Sequence, residues 1–150
     1  MKDRFEKFTV LISKINRSIR RIKNQEMADY GLRSPHISCL YYLYSSGGLT
    51  ATELCERCEE DKATISRALD YLEANGYITC ESRSAKRYKS RILLTERGQE
   101  ISEEISEKVR LVLDEVGVGL TEEERISFYR SLTLISDGLE RCAEVISKKK

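Results

Sequence analysis

Between Thr50 and Thr95 the chain changes its hydrophobic period, and this change limits most tightly what it can fold into. A short helix opens at Thr50 or Thr52 and runs through Leu54 to Cys58. After a brief break, Asp61 is placed to cap a second helix through Ala74, which Asn75-Gly76 ends. Ile65, Leu69 and Leu72 share one face of that helix, Lys62, Ser66, Arg67 and Asp70 point elsewhere, and Thr64 sits at the boundary. The period then falls to two. Tyr77 to Ser82 and Arg91 to Thr95 read as short strands, with Ile78/Cys80 and Ile92/Leu94 turned inward and eight polar, basic residues between them.

Helices flank this unit on both sides. Phe5, Phe8, Ile12, Ile15, Ile19 and Ile22 recur at three- and four-residue steps, a single apolar stripe with Lys14, Arg17, Arg20, Arg21 and Lys23 on the other faces. A short helix is expected from Ser34-Pro35, with Ser34 as its cap, burying Ile37, Leu40 and Leu43 and stopping at Gly47-Gly48. On the far side, Glu96 to Val116 carries Ile101, Ile105, Val109, Val112 and Val116 on a stripe. A last helix begins at Thr121, which forms a capping box with Glu124, and its stripe is Phe128, Leu132, Ile135, Leu139, Cys142 and Ile146. The two outer stripes are heptad-spaced but too short for free coiled coils, so each needs a partner. The expected fold is mainly α with a small β-hairpin, in one domain over residues 1–150.

Composition narrows the function. The uncharged run from Ser34 to Glu53 is polar and broken by Gly47 and Gly48, so it does not span a bilayer, and no apolar leader follows the charged N-terminus; the expected location is the cytoplasm. Net charge is only +1, yet residues 62–91 carry seven Lys/Arg against three acids, while residues 34–61 carry one against five. A basic block of this kind can bind phosphates locally even in a near-neutral chain, and charge alone fits a solvated basic hairpin equally well. The five cysteines have no framework spacing, so no structural disulfide is expected. Cys55 and Cys58 form a C-x-x-C with no second pair at zinc spacing, and three residues is also the spacing of an apolar helix face. One histidine, no phosphate-cradling Gly-rich loop and no G-x-S-x-G leave no catalytic set to assemble. No catalytic residue, metal ligand or cofactor is expected.

Two short helices with a tight turn, followed by a basic hairpin, describe a winged helix-turn-helix, whose second helix matches the width of the DNA major groove. Lys62, Thr64, Ser66 and Arg67 lie near the start of that helix, where base edges are met, and Lys86, Arg87 and Lys89 lie on the wing. The run Gly31-Leu32-Arg33-Ser34-Pro35, with Leu40-Tyr41-Tyr42-Leu43 and Gly48-Leu49-Thr50, resembles the second helix and following loop of MarR-family regulators. Thr52-Glu53-Leu54-Cys55 is similar to the family's third helix. The stretch from Asp61-Lys62-Ala63-Thr64-Ile65-Ser66-Arg67 through Asn75-Gly76-Tyr77-Ile78 is similar to its recognition helix and first wing strand. Tyr88, Ile92, Leu94-Thr95 and Gly98 match the end of the wing, and Gly119-Leu120-Thr121 the approach to the last helix.

The resemblance implies a DNA-binding lobe over about 31–98, dimerisation helices at 1–28 and 99–150, a homodimer on an inverted-repeat site in double-stranded DNA, and a repressor that answers to a small molecule. By position, Tyr30, His36 and Tyr41 would line an effector pocket. Two departures stand out. Glu59 and Glu60 occupy a turn that in the family carries a glycine and an apolar residue, and Ser84 and Lys86 stand where many relatives have a wing-tip Asp and, two residues on, an Arg. Some relatives sense oxidants through a cysteine in the first helix, but none precedes Cys39 here. The competing readings are a thiol-based redox sensor using Cys55, Cys58 or Cys80, and a winged-helix protein-interaction module. A basic wing and a hydroxyl-bearing recognition helix favour DNA, since a protein-docking face would expose apolar anchors.

Overall fold

The structure is a computed structural model that describes residues 2–81 and 89–148, with side chains from Glu6 onward. Its elements are α1 (Lys2–Glu26), a 3₁₀ turn (Ala28–Tyr30), α2 (Ser34–Ser46), α3 (Ala51–Cys58), α4 (Lys62–Ala74), β1 (Ile78–Cys80), β2 (Ile92–Leu94), α5 (Glu96–Val116) and α6 (Glu122–Ser147). This is the mainly helical fold with a two-stranded hairpin expected of a winged helix-turn-helix. Phe5 and the wing residues Arg83, Ser84, Lys86, Arg87 and Tyr88 lie outside the residues whose side chains are described.

The chain divides into two compact units, Met1–Val109 and Arg110–Lys150. In the first, one core gathers Met27 and Leu32, Ile37, Leu40 and Leu43 from α2, Leu54 from α3, Ile65, Leu69 and Leu72 from α4, Ile78 and Ile92 from the hairpin, and Ile101 and Ile105 from α5. Burying this much aliphatic surface is the main term favouring the fold. The strands pair antiparallel with Ile78 opposite Leu94 and Cys80 opposite Ile92. A bridge that the sequence does not signal pairs the other edge of β2. Leu49 and Ile92 exchange both backbone hydrogen bonds, at 3.2 and 2.8 Å, tying the α2–α3 loop to the root of the wing.

Local signals account for the element ends. Thr50 caps α3 by accepting from the Glu53 N–H, while the Glu53 carboxylate accepts from the Thr50 N–H. Asp61 caps α4, and Thr121 with Glu124 closes the capping box of α6. One expected cap is corrected. Ser34 is the first residue of α2, not its cap: its N–H is satisfied by Asn24 Oδ1 at 2.8 Å, and the preceding Arg33 N–H donates to His36 Nδ1 at 3.0 Å. Both strands are three residues long, shorter than expected, because Glu81 N–H to Arg91 is the last rung within the described residues.

The faces of α1 are used differently from what its stripe suggests. Arg20 pairs with Glu60 at 2.9 Å, Lys23 donates to Ser38 Oγ at 2.9 Å, and Asn24 caps α2, so the polar side docks on the helices beside it. Ile12, Ile15 and Ile19 remain exposed, at 39 %, 49 % and 47 %. In the second unit α6 likewise buries no residue, and Phe128, Ile135, Leu139 and Ile146 are open to solvent.

Candidate nucleic-acid interface

The start of α4 is built around one carboxylate. Asp61 Oδ1 accepts from the Thr64 N–H at 2.8 Å, and Thr64 Oγ1 donates to Asp61 Oδ2 at 2.9 Å. The Thr64 hydroxyl in turn accepts from Arg67 Nη2 at 3.3 Å. Steps of three residues place these groups above one another on a helix, so a ladder runs from cap to guanidinium along one face. The hydrogen bonds from Thr64 hold the Asp61 carboxyl below its usual titration range, so it stays an acceptor near neutral pH. Ile65, Ala68, Leu69 and Leu72 fix the opposite face in the core.

Lys62, Ser66 and Arg67 are exposed and Thr64 is half-buried, the boundary position its spacing implied. This surface offers an ammonium, hydroxyls and an oriented guanidinium, groups that suit phosphate oxygens and base-edge acceptors. Beside it, Ala51, Thr52, Cys55, Lys62, Ile65, Ser66 and Leu69 line an open cleft of about 440 Å³ between α3 and α4. Lys89 is exposed at the returning end of the wing, and Lys86 and Arg87 lie outside the described residues.

The three residues assigned to an effector have separate surroundings. Tyr30 lines a cavity of about 240 Å³ with Tyr77, Arg97, Glu100, Ile101 and Glu104, and its hydroxyl donates to Glu104 at 2.7 Å, which raises the phenol's pKa. His36 stacks on Tyr71 with ring centres 4.4 Å apart, and desolvation, aided by Arg33, lowers its pKa. Tyr41 meets Tyr42 edge-on at 5.5 Å, partly buried against the core. Neither His36 nor Tyr41 lines the Tyr30 cavity.

Several positioning contacts escape sequence reasoning because their partners are far apart in the chain. The Tyr71 hydroxyl donates to the Gly31 carbonyl at 3.2 Å, fastening α4 to the start of α2. Arg97 lies 4.6 Å over the Tyr77 ring and donates to the Asn75 carbonyl at 3.0 Å, locking the turn after α4. Gly98 has a readable signal, since a Cβ there would strike the Tyr77 carbonyl. No metal-binding cluster of His, Cys, Asp or Glu occurs among the described residues, and no described helix is long and apolar enough to cross a membrane.

Comparison with known proteins places this geometry. A family model described as MarR family matches residues 30–87, the segment from the 3₁₀ turn to the wing. An uncharacterized HTH-type transcriptional regulator of Bacillus subtilis, YwoH, is 30 % identical over 121 residues, 79 % of this chain and 88 % of the relative. The MarR family regulator NMB1585 from Neisseria meningitidis superposes with a TM-score of 0.81 at 20 % identity, over 98 % of this chain and 99 % of that one. A MepR–DNA complex from S. aureus gives 0.78 at 21 % identity, over 88 % and 96 %. With the family match and the regulator's similarity in register with the capped α3–α4 pair and its hairpin, the chain belongs to the MarR family of helix-turn-helix transcription regulators.

Proposed function

We propose that this regulator is a homodimer that binds an inverted repeat in double-stranded DNA with α4 in the major groove, represses by occupying that site, and releases it on binding a small molecule. The observation that carries the reading is the exposed ladder of Asp61, Thr64 and Arg67. It presents a guanidinium whose direction is set before any ligand arrives, as bidentate recognition of guanine requires. Ser66 and Lys62 flank it, while Lys89, with Lys86 and Arg87 of the wing, supplies charge for the adjoining backbone. The similar MepR structure is a complex with DNA, which supports DNA as the partner of a chain of this fold. Tyr30 and its cavity beside Arg97 are the effector site we favour, with His36 and Tyr41 in supporting positions on α2.

The dimer reading rests on the unpartnered apolar faces of α1 and α6. A two-fold dimer presents two α4 helices, so operator symmetry follows from protein symmetry. The domain arrangement we favour is a DNA-binding lobe over about 31–98 carried on dimerisation helices at 1–28 and 99–150.

The test is a selection of bound sequences from a random library, with the wild type and Arg67→Ala. Losing a bidentate guanine contact costs about 1–3 kcal/mol at one base position. The variant is expected to lose preference at one symmetric pair of positions and keep it elsewhere. A uniform loss over all sequences would make Arg67 a phosphate contact, and an unchanged profile would remove it from the interface.

A further inference from the structure

The cleft of about 440 Å³ between α3 and α4 has sides set by helix periodicity. On α4, Lys62, Ser66 and Leu69 follow at steps of four and three residues and so share the face turned toward α3. On α3, Ala51 and Cys55 are four residues apart and form the facing wall. Ile65 and Leu69 are buried and make the floor, the two wall residues are half-buried, and Lys62 and Ser66 stand exposed at the rim. The result is an apolar trough with an ammonium and a hydroxyl along one edge.

Two considerations say what covers it. The rim is continuous with the surface that carries the oriented guanidinium, because Ser66 directly precedes Arg67 and one residue advances a helix by only 1.5 Å. A duplex that meets Arg67 therefore also passes over the trough. Of the groups that base pairs show in the major groove, the C5-methyl of thymine is the alkyl one, and the rest are hydrogen-bond donors or acceptors. The hydrocarbon of Ala51, Ile65 and Leu69 satisfies no donor or acceptor, so thymine is the base whose edge gains by lying there. Ser66 at the rim adds a hydroxyl donor, and thymine carries its O4 acceptor on the atom next to the methyl-bearing carbon.

We propose that the α3–α4 cleft is a specificity pocket for the C5-methyl of a thymine within about two base pairs of the guanine that Arg67 contacts, bases in one strand being about 3.4 Å apart. Ala51, Cys55 and Ile65 receive the methyl, Ser66 donates to O4, and Lys62 meets the phosphate backbone beside them. The proposal rests on the DNA-binding reading given above and adds to it a base chosen by burial of carbon. Burying one methyl group is worth about fourfold in affinity.

The full-length protein is titrated against the duplex that it enriches from the random library. Each thymine is replaced in turn, in both half-sites together, by deoxyuridine, which keeps O4 and the pairing edge and lacks only the methyl. Affinity is expected to fall by about fourfold per half-site, about fifteenfold for the symmetric pair, at a thymine within about two base pairs of the Arg67-dependent guanine. Cys55→Leu fills the trough from the α3 side. It is expected to bind the thymine duplex more weakly, to treat thymine and deoxyuridine alike, and to keep the preference at the Arg67 position. A wild type indifferent to the methyl at every thymine overturns the proposal and leaves the cleft to another occupant, such as a free apolar molecule. A methyl effect confined to thymines remote from that guanine overturns it as well. So does a Cys55→Leu protein, folded by circular dichroism, that retains the full preference for the methyl; if that variant does not fold, the deoxyuridine series on the wild type decides alone. A protein that enriches no sequence overturns the DNA-binding reading and this one together, whereas an enriched site blind to the methyl overturns this one only.

Discussion

At the scale of single residues, the informative positions are the two glutamates in the helix-turn-helix turn. Glu59 caps α3 with φ at +52°, the only positive φ outside glycine among the described residues. This is the position where the family's glycine belongs, so the turn keeps a glycine-like backbone with a side chain that resists it. A left-handed residue other than glycine costs roughly 1–2 kcal/mol, partly offset by glycine's greater freedom in the unfolded chain. Glu59→Gly is therefore expected to stabilise the fold by about 0.5–1 kcal/mol, read as a higher urea midpoint at unchanged slope. A lower midpoint would show that the Glu59 side chain contributes more than its backbone costs. Glu60 explains the other departure: where an apolar residue would pack, its carboxylate reaches Arg20 on α1. No spacing rule couples residues forty positions apart, so this pair was not legible in the sequence.

At the scale of elements, the caps at Asp61 and Thr121 were readable, that of α3 was narrowed to Thr50 or Thr52, and the Ser34 cap and the docking were not. Thr50/Glu53, Asp61/Thr64 and Thr121/Glu124 each close a helix through contacts three residues apart, which sequence spacing states directly. All three carboxylates have depressed pKa values, caused first by backbone N–H donors. A carboxyl whose pKa is lower folded than unfolded contributes stability that is fully present above its unfolded pKa and lost as pH falls through the folded one. Asp61→Asn keeps an acceptor for the Thr64 N–H but removes that titration. Its urea midpoint is expected to fall less than that of the wild type between pH 5 and pH 3, with the two proteins closest at the acid end. Parallel acid limbs would show that Asp61 titrates alike in both states. His36 adds to the same direction at milder acidity, since burial lowers its pKa and protonation opposes the folded form. The Leu49–Ile92 bridge, the Tyr71–His36 stack and the Arg97–Tyr77 contact depend on where elements meet, and no local pattern announces them.

At the scale of the whole molecule, the apolar residues of the terminal helices lead to a prediction about assembly. Ile15 on α1 is 49 % exposed and Leu139 on α6 is 56 % exposed, within stripes at heptad spacing. The stripe of α1 stays open because its polar side makes the contacts with α2 and the turn before α4. Ile15→Asp and Leu139→Asp each place a charge where a second copy is expected to bury aliphatic surface. Both are expected to sediment as monomers at micromolar concentration with unchanged helix content. Operator affinity should drop by at least about a hundredfold, because linked half-sites no longer act together. Variants that remain dimeric with full affinity would make these faces plain solvent surfaces.

The sequence alone determined the order of the six helices and the hairpin, the caps at Asp61 and Thr121, the face of α4 that enters the core and the face that stays out. These follow from periodicity and from contacts within a few residues, where the chain's own geometry places side chains together. Only the tertiary structure decided that α1 docks by Arg20, Lys23 and Asn24 and that Leu49 pairs with Ile92 at the root of the wing. It also separated Tyr30, in its own cavity, from His36 and Tyr41 on α2. Such juxtapositions join residues on different elements, so they are fixed by how a shared core packs the helices and not by any spacing along the chain.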